Sequence, residues 1–161
     1  MIKVQFVREH GFLSNLIAWF SAGTFSHVDT VLPNGALLGA RNDCIGGKPP
    51  GVQIRPPYYM NAATKVRMWL NTTPEQEAVY YDFLNAQLGK PYDKIAIIGF
   101  AVDRDWRDPS DWFCSELVAA ALEYCKVCPR LYTPANKITP VGLASIMSAL
   151  GAHAHVVNIH N

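Results

Sequence analysis

One of the four cysteines, Cys114, lies in a sequence context that favours nucleophilic chemistry. The segment DWFCSELV at 111–118 predicts a helix over 113–125, with Ser110 or Asp111 as its N-cap. A cysteine in the first helical turn meets the positive end of the helix dipole, which favours a thiolate, and free amides that can bind an oxyanion. The alternative is an apolar core role, because Cys114 shares a helical stripe with the apolar residues that follow it.

A nucleophilic thiol needs a base, and His27 is the histidine best placed to be one. It lies near the start of a strand predicted over 25–32, and the alternation of a strand puts Asp29 on the same face. The alternative for His27 is a structural histidine satisfied by hydrogen bonds. His153 and His155 have a spacing that could hold a metal, but it is more typical of polar positions in a closing strand.

The sequence contexts of the other three cysteines favour a catalytic, redox or metal-binding role less than that of Cys114 does. Cys125 and Cys128 form a C-x-x-C, but a zinc site would need two more ligands, and no second pair lies at a familiar spacing. A redox role needs such a motif at a helix start, whereas this one follows a predicted helix end. Cys44 falls in a Gly/Pro-rich loop at 42–51. We therefore expect no metal, no cofactor and a single functional thiol.

Length and composition limit the class of protein. The chain has 161 residues, which fits one domain over 1–161, and 50% of them are apolar. A net charge of +1 gives no electrostatic case for nucleic acid, and no apolar run approaches the 18 residues of a membrane span. Residues 11–26 are uncharged, but their pattern predicts a core helix rather than a signal peptide. We expect a leaderless chain that is cytoplasmic as synthesised, where disulfides are rare.

Hydrophobic periodicity and turn residues predict an α+β domain, a mainly antiparallel sheet with helices packed on it. The sequence Thr73-Pro74-Glu75-Gln76 predicts a capping box at a helix start, and Gly89 predicts the end of that helix. A tight turn is expected at 33–35 and a loop at 103–111. The predicted strands are 2–7, 25–32, 36–41, 52–55, 65–70 and 156–159, and the predicted helices are 12–21, 73–88, 94–102, 113–125 and 139–150.

Two motifs together resemble the NlpC-type cysteine peptidases. They are Leu88-Gly89-Lys90-Pro91-Tyr92 and, about twenty residues later, Phe113-Cys114-Ser115-Glu116-Leu117-Val118. The histidine precedes the cysteine, in the order typical of the circularly permuted branch, which includes lecithin–retinol acyltransferase-like proteins and small bacterial and phage hydrolases. The resemblance covers roughly residues 25–122. It implies a papain-like fold, with a nucleophile at a helix N-terminus packed against an antiparallel sheet.

The resemblance also implies roles for individual residues. Cys114 matches the nucleophile, His27 the general base, and Tyr92 a tyrosine that assists the oxyanion. One departure concerns the third polar residue, which orients the imidazole, since the matching position falls near Gly39. Asp29, Asp43, a backbone carbonyl or a water can substitute for it, and these alternatives stay open on sequence alone.

The expected function is a cysteine hydrolase, a peptidase or amidase, that cleaves amide bonds by thiolate attack and a covalent acyl-enzyme. Cell-wall peptide is the substrate that the resemblance favours, which would require delivery of the chain to the wall. The runner-up is an acyltransferase or thioesterase acting on lipid esters. The competing class is a catalytically degenerate binding module on the same fold. The expected partners are a peptide, amide or acyl substrate, and the oligomeric state stays open.

Overall fold

The computed structural model describes residues 1–9, 24–60, 62–92, 111–131 and 138–157. Within these ranges the chain forms six strands and three helices, so the predicted α+β class is confirmed. The predicted helices at 12–21 and 94–102, and most of the predicted loop at 103–111, lie outside the described residues. The strands are β1 (Ile2–Glu9), β2 (His27–Val31), β3 (Leu37–Arg41), β4 (Gly51–Arg55), β5 (Ala62–Leu70) and β6 (His153–Val156), and the helices are α1 (Pro74–Asn85), α2 (Cys114–Tyr124) and α3 (Pro140–Ala149).

The six strands form one sheet in the order β4-β3-β2-β1-β5-β6, and every pairing between them is antiparallel. The central strand β1 pairs with β2 and β5, and Val7 lies opposite His27. The predicted turn at 33–35 joins β2 to β3, where Gly35 has a φ of 84° and its N–H donates to the Leu32 carbonyl at 2.8 Å. Glycine adopts this left-handed conformation at no steric cost.

Two hydrophobic clusters stabilise the sheet. The larger one joins the three helices to the sheet and includes Phe6, Val28 and Leu117, each fully buried. The smaller one consists of Val7, Val31, Leu37, Met60 and Ala62. Full burial of a Val, Leu or Phe side chain contributes about 1.5–3 kcal/mol, so the larger cluster is the main source of stability. Within the described ranges, no helix has the length and apolar character needed to cross a membrane.

The predicted capping box at the start of α1 is confirmed. Thr73 accepts a hydrogen bond from the Gln76 amide, and the Gln76 side chain accepts one from the Thr73 amide, at 3.2 and 3.1 Å. The helix ends at Asn85, three residues earlier than predicted, because the chain continues as a turn to Gly89, where φ is 84°. At α3, the Thr139 side chain accepts from the Gly142 amide at 3.0 Å, as a helix cap should.

The prediction for the start of α2 is wrong at the cap. The N-cap position is Phe113 rather than Asp111, and Ser110 lies outside the described residues. Phe113 is extended, with φ −85° and ψ 152°, and its N–H donates to the Glu116 carboxylate at 3.2 Å. The helix therefore receives half of a capping box from Glu116, without a polar cap residue. Cys114 becomes the first helical residue.

The closing strand also differs from its prediction. β6 spans His153–Val156 and so begins three residues earlier than predicted, because its pairing with β5 places His153 opposite Trp69; residues 158 and 159 of the predicted strand lie outside the described residues. The His153 ring stacks on the Trp69 ring at a centroid distance of 5.6 Å. Both His153 and His155 are exposed positions of this strand, in agreement with the interpretation that they are its polar residues.

A backbone link ties the edge strand β4 to the start of α2. The Val52 N–H donates to the Lys90 carbonyl, and the Gly89 N–H donates to the Val52 carbonyl, both at 2.9 Å. Further along the segment, the Trp112 N–H donates to the Pro91 carbonyl at 3.1 Å. Residues 89–91 thus cover the free edge of the sheet and hold the residue that lies two positions before α2.

We expect Gly51→Ala to destabilise the protein more than Gly35→Ala does. Both glycines have positive φ, so a Cβ at either costs about 1–2 kcal/mol. At Gly51 the added atom would also overlap the Lys90 carbonyl, whereas nothing lies within 4 Å of a Cβ at Gly35. The extra cost is about 1–3 kcal/mol, as for overpacking. Urea unfolding measures the difference, and equal losses of unfolding free energy would contradict the close approach of Lys90 to β4.

Candidate active site

Cys114 is the first residue of α2 and is buried, with 1% of its surface exposed. The first hydrogen bond of the helix runs from the Leu117 amide to the Phe113 carbonyl at 3.1 Å. The amides of Cys114 and Ser115 therefore lie in the first turn, where a helix offers no carbonyl partner. The Ser115 hydroxyl donates to the Ile138 carbonyl at 2.6 Å, which fixes this turn against the chain that leads into α3.

His27 is the first residue of β2 and is also buried, and the Cys114 side chain lies close enough to its ring to help raise the pKa of His27. On the other side of the ring, His27 Nε2 lies 3.0 Å from Asp29 Oδ1. A carboxylate only accepts, so Nε2 carries the hydrogen and donates to Asp29. Nδ1 is then the ring nitrogen left to face Cys114. The two residues predicted from separate motifs are brought together.

Asp29 answers the question of which residue orients the imidazole. Its side chain is 1% exposed, with Oδ1 on His27 and Oδ2 accepting a hydrogen bond from the Tyr59 hydroxyl at 2.7 Å. A Cβ atom added at Gly39 would overlap Asp29 Oδ1. The departure at Gly39 therefore has a physical reason, because the carboxylate of β2 fills the space that a side chain on β3 would occupy.

The charges of His27 and Asp29 stabilise each other. Burial alone would lower the pKa of His27, but the neighbouring Asp29 carboxylate outweighs it and raises the pKa to about 10. Burial alone would raise the pKa of Asp29, but the imidazolium and its hydrogen bonds hold it below its usual value. The pair is therefore an imidazolium and a carboxylate at neutral pH, held in a site that excludes water.

Asp43 binds Arg41 rather than His27. The Arg41 guanidinium donates from Nε and Nη2 to the two oxygens of Asp43 at 2.7 and 2.8 Å, a bidentate pair. Its remaining Nη1 donates to Glu9 at 3.0 Å. The Arg41 hydrogen bond is the main reason that the pKa of Asp43 is lowered. Of the two acidic candidates, only Asp29 contacts the imidazole.

Tyr59 is a residue of the site that the sequence did not single out. Its hydroxyl lies 2.7 Å from Asp29 Oδ2 and 3.2 Å from His27 Nε2. Burial and the nearby Asp29 charge raise the pKa of Tyr59, so the phenol stays protonated and donates to the carboxylate. The only signal in the sequence is the pair of tyrosines after Pro56 and Pro57, and nothing there separates Tyr59 from the exposed Tyr58.

Tyr92, expected to assist the oxyanion, is buried and lies beside the start of α2. Its ring centroid is 5.8 Å from that of Phe113, the residue before Cys114. Its backbone forms an isolated parallel bridge with Trp112. Tyr92 thus helps to hold the approach to the nucleophile, and the role of its hydroxyl on an oxyanion stays a prediction.

The remaining cysteines are free, and so is Cys114. Cys125 and Cys128 are buried at the end of α2, where burial raises the pKa of each thiol, and Cys44 is exposed. Cys125 packs inward at the helix end as predicted. Among the described residues, no group of three or more His, Cys, Asp and Glu side chains is arranged to hold a metal ion.

Comparisons with known proteins bear on the fold. No protein-family model matches the chain, and no curated protein matches it. A similar solved structure is the crystal structure of the metalloprotein yiiX from Escherichia coli O157:H7, described as DUF1105, with a TM-score of 0.55 and 19% identity. The match covers 76% of this chain and 63% of that one, so this chain spans less than two thirds of the length of yiiX. At this identity the likeness shows a shared fold alone.

We expect Asp29→Asn to lower the pKa of His27 from about 10 to below 6.5, because burial and the Arg41 charge both lower it once the carboxylate is gone. Imidazole NMR titration measures the change, with His153 on the distant strand β6 as an internal control. Because its folded pKa exceeds the unfolded value, the stability that His27 contributes is complete below about pH 6.5 and is lost as pH rises toward 10. A wild-type unfolding free energy without this decline, or an unchanged titration, would contradict the ion pair.

We expect Gly39→Ala to impair the site without removing any functional group. The new methyl overlaps Asp29 Oδ1 and displaces the carboxylate from His27. Misplacement of a positioning group by 1 Å costs about 100-fold in rate, so alkylation of Cys114 should slow by that order. The rate is measured with iodoacetamide, and Gly35→Ala in the same hairpin, where a Cβ meets nothing, is the control. Equal rates in the two variants would show that Asp29 does not depend on the open space at Gly39.

Proposed function

We propose that this protein is a cysteine hydrolase, a peptidase or amidase with a permuted papain-like fold of the NlpC type. The observation that carries the proposal is the contact between Cys114, the first residue of α2, and a His27 ring whose far nitrogen is held by Asp29. A thiol, a base and an orienting carboxylate in this sequence of contacts form the arrangement that nucleophilic catalysis requires. The resemblance of the two motifs supports the same function.

The first half of the reaction starts from a thiolate–imidazolium pair, in which the proton of Cys114 lies on Nδ1 of His27. The imidazolium is the form that Asp29 stabilises up to about pH 10. The thiolate attacks the carbonyl carbon of an amide, so that a C–S bond forms and the carbonyl electron pair moves to oxygen. The amides of the first turn of α2 bind this oxyanion, with Tyr92 as the candidate for a further donor.

In the second half, the tetrahedral intermediate collapses and the C–N bond breaks. His27 gives its proton to the leaving amine, and an acyl group remains on the Cys114 sulfur. Neutral His27 then takes a proton from water, and the resulting hydroxide attacks the thioester carbonyl. The C–S bond breaks and a carboxylic acid leaves, which restores the thiolate beside the protonated His27. Asp29 keeps the ring in one orientation through both proton transfers.

The substrate that we propose is a peptide amide, such as those of peptidoglycan. This choice rests on the resemblance of the two motifs to cell-wall peptidases. The ground for a degenerate binding module was the absence of a polar residue near Gly39, and it is weakened because Asp29 supplies a carboxylate at that place. A thioester intermediate would also permit transfer of an acyl group from lipid esters, which the experiment separates from amide hydrolysis.

We expect purified protein to hydrolyse muropeptides and to lose at least about 1000-fold in rate on Cys114→Ala, the scale for removal of a nucleophile. The products are measured by mass spectrometry, alongside acyl esters as competing substrates. In a Cys44→Ser background, which removes the exposed thiol, iodoacetamide should label Cys114 and label it much more slowly after His27→Ala.

The control is Cys125→Ala, which removes a buried thiol at the opposite end of α2 and should leave both rates within about twofold. Turnover of acyl esters with no amide cleavage would move the function to an acyltransferase or thioesterase. Labelling that does not depend on His27, together with equal activity of wild type and Cys114→Ala, would contradict a thiol enzyme.

A further inference from the structure

The hydroxyl of Tyr59 lies at the centre of a buried cluster of charged groups. It donates to Asp29 Oδ2 at 2.7 Å and approaches His27 Nε2 at 3.2 Å. The third neighbour is Arg41, whose Nη1 is 3.5 Å from the same oxygen. The Tyr59 hydroxyl has one hydrogen, and it donates this hydrogen to the Asp29 carboxylate in a hydrogen bond. Its lone pairs then face an N–H of Arg41 and Nε2 of His27, whose one hydrogen points to Asp29.

Two arginines hold the ring of Tyr59. The Arg41 and Arg55 guanidinium carbons lie 5.4 and 5.7 Å from the ring centroid, within the range of cation–π contacts. Arg55 is 1% exposed and is itself fixed by backbone carbonyls, with Nη1 donating to Gly39 at 3.1 Å and Nη2 to Pro49 at 3.2 Å. The ring therefore contacts two cations, of which Arg55 is anchored to carbonyls of β3 and of the 42–51 loop.

We propose that Tyr59 is a positioning residue that fixes the Asp29 carboxylate in the rotamer that accepts the His27 proton. The Asp29 side chain is buried, so removal of the Tyr59 hydroxyl would leave Oδ2 without its hydrogen-bond donor and with little access to water. The carboxylate would then be free to turn toward another donor, and Oδ1 would leave Nε2. The inference rests on the proposed function, in which the orientation of His27 matters for catalysis.

The other charged groups around this cluster do not replace the hydroxyl. The groups that act on His27 are Asp29, Arg41 and Cys114, together with the more distant charge of Asp43. Arg41 is engaged by Asp43 and Glu9, and Arg55 acts on Asp29 through its charge rather than through a hydrogen bond to it. Among the described residues, the side chains that donate to the Asp29 carboxylate are those of His27 and Tyr59.

The test is Tyr59→Phe, which keeps the ring between the two arginines and removes one hydroxyl. We expect hydrolysis and alkylation of Cys114 to slow by about 10- to 100-fold, the scale for a hydrogen bond to a charged group. The acid limb of the pH–rate profile should also move to higher pH, because Tyr59 holds the pKa of Asp29 down and a protonated Asp29 no longer stabilises the imidazolium. A merely structural loss would lower the rate without moving the limb.

Tyr58→Phe is the matched control, since Tyr58 is the adjacent tyrosine and is 82% exposed. It should leave the rate and the pH profile unchanged. In an Asp29→Asn background, Tyr59→Phe should have no further effect on rate, because Tyr59 acts through the carboxylate. An additive loss in that double variant, or an acid limb that does not move, would overturn the proposal.

A readout without any reaction separates this inference from the proposed function. The carboxyl carbon of Asp29 is titrated by NMR in the Cys114→Ala protein, with and without Tyr59→Phe. A rise in the pKa of Asp29 on loss of the hydroxyl supports positioning even where the protein cleaves no amide. An unchanged pKa overturns positioning even where Cys114 proves to be the nucleophile. A fall in the unfolding temperature alone, with the Asp29 titration unchanged, also counts against it.

Discussion

The buried pair of His27 and Asp29 is the interaction on which the rest of the site depends. Two charges taken from water lose solvation that their mutual attraction repays only when the geometry is good and the remaining polar atoms are satisfied. Both conditions hold here, since Nε2 lies 3.0 Å from Oδ1 and Tyr59 occupies Oδ2. The same pair decides the tautomer of the ring, because the hydrogen on Nε2 leaves Nδ1 for Cys114. Stability and chemistry are thus set by one contact.

Backbone features, more than side chains, make room for this pair and position Cys114 beside it. Gly39 leaves open the space that the Asp29 carboxylate fills. Residues 89–91 form backbone hydrogen bonds to β4 and to Trp112, and so connect the edge of the sheet to the residues before α2. Ser115 adds a hydrogen bond from the first turn to the Ile138 carbonyl. A site built on helix and strand ends of this kind keeps its geometry better than one built on loops.

The parts of the structure that follow from local sequence were predictable, and those that follow from pairing were not. The capping box at Thr73 and the place of Cys114 in a first helical turn depend on residues within four positions of each other. The cap of α2 was mistaken because Glu116, not a polar residue at the cap, satisfies the Phe113 amide. The choice between Asp29 and Asp43 needed the approach of Gly39 to Asp29, and Tyr59 reaches His27 from 32 positions away.

The buried charges form two separate sets of ion pairs, His27 with Asp29 and Arg41 with Asp43 and Glu9. This separation explains why so many charges fit in a small buried volume. Arg41 faces the Tyr59 ring, and its charge lowers the pKa of His27, so an unpaired Arg41 would weaken the imidazolium and compete for Asp29. Asp43 and Glu9 take up its donors instead. Asp29 is thereby left to the imidazole, and the neutral phenol of Tyr59 contacts both the His27–Asp29 pair and Arg41. Glu9 and Asp43 therefore contribute to the site without contacting His27, because they hold the Arg41 cation away from the Asp29 carboxylate.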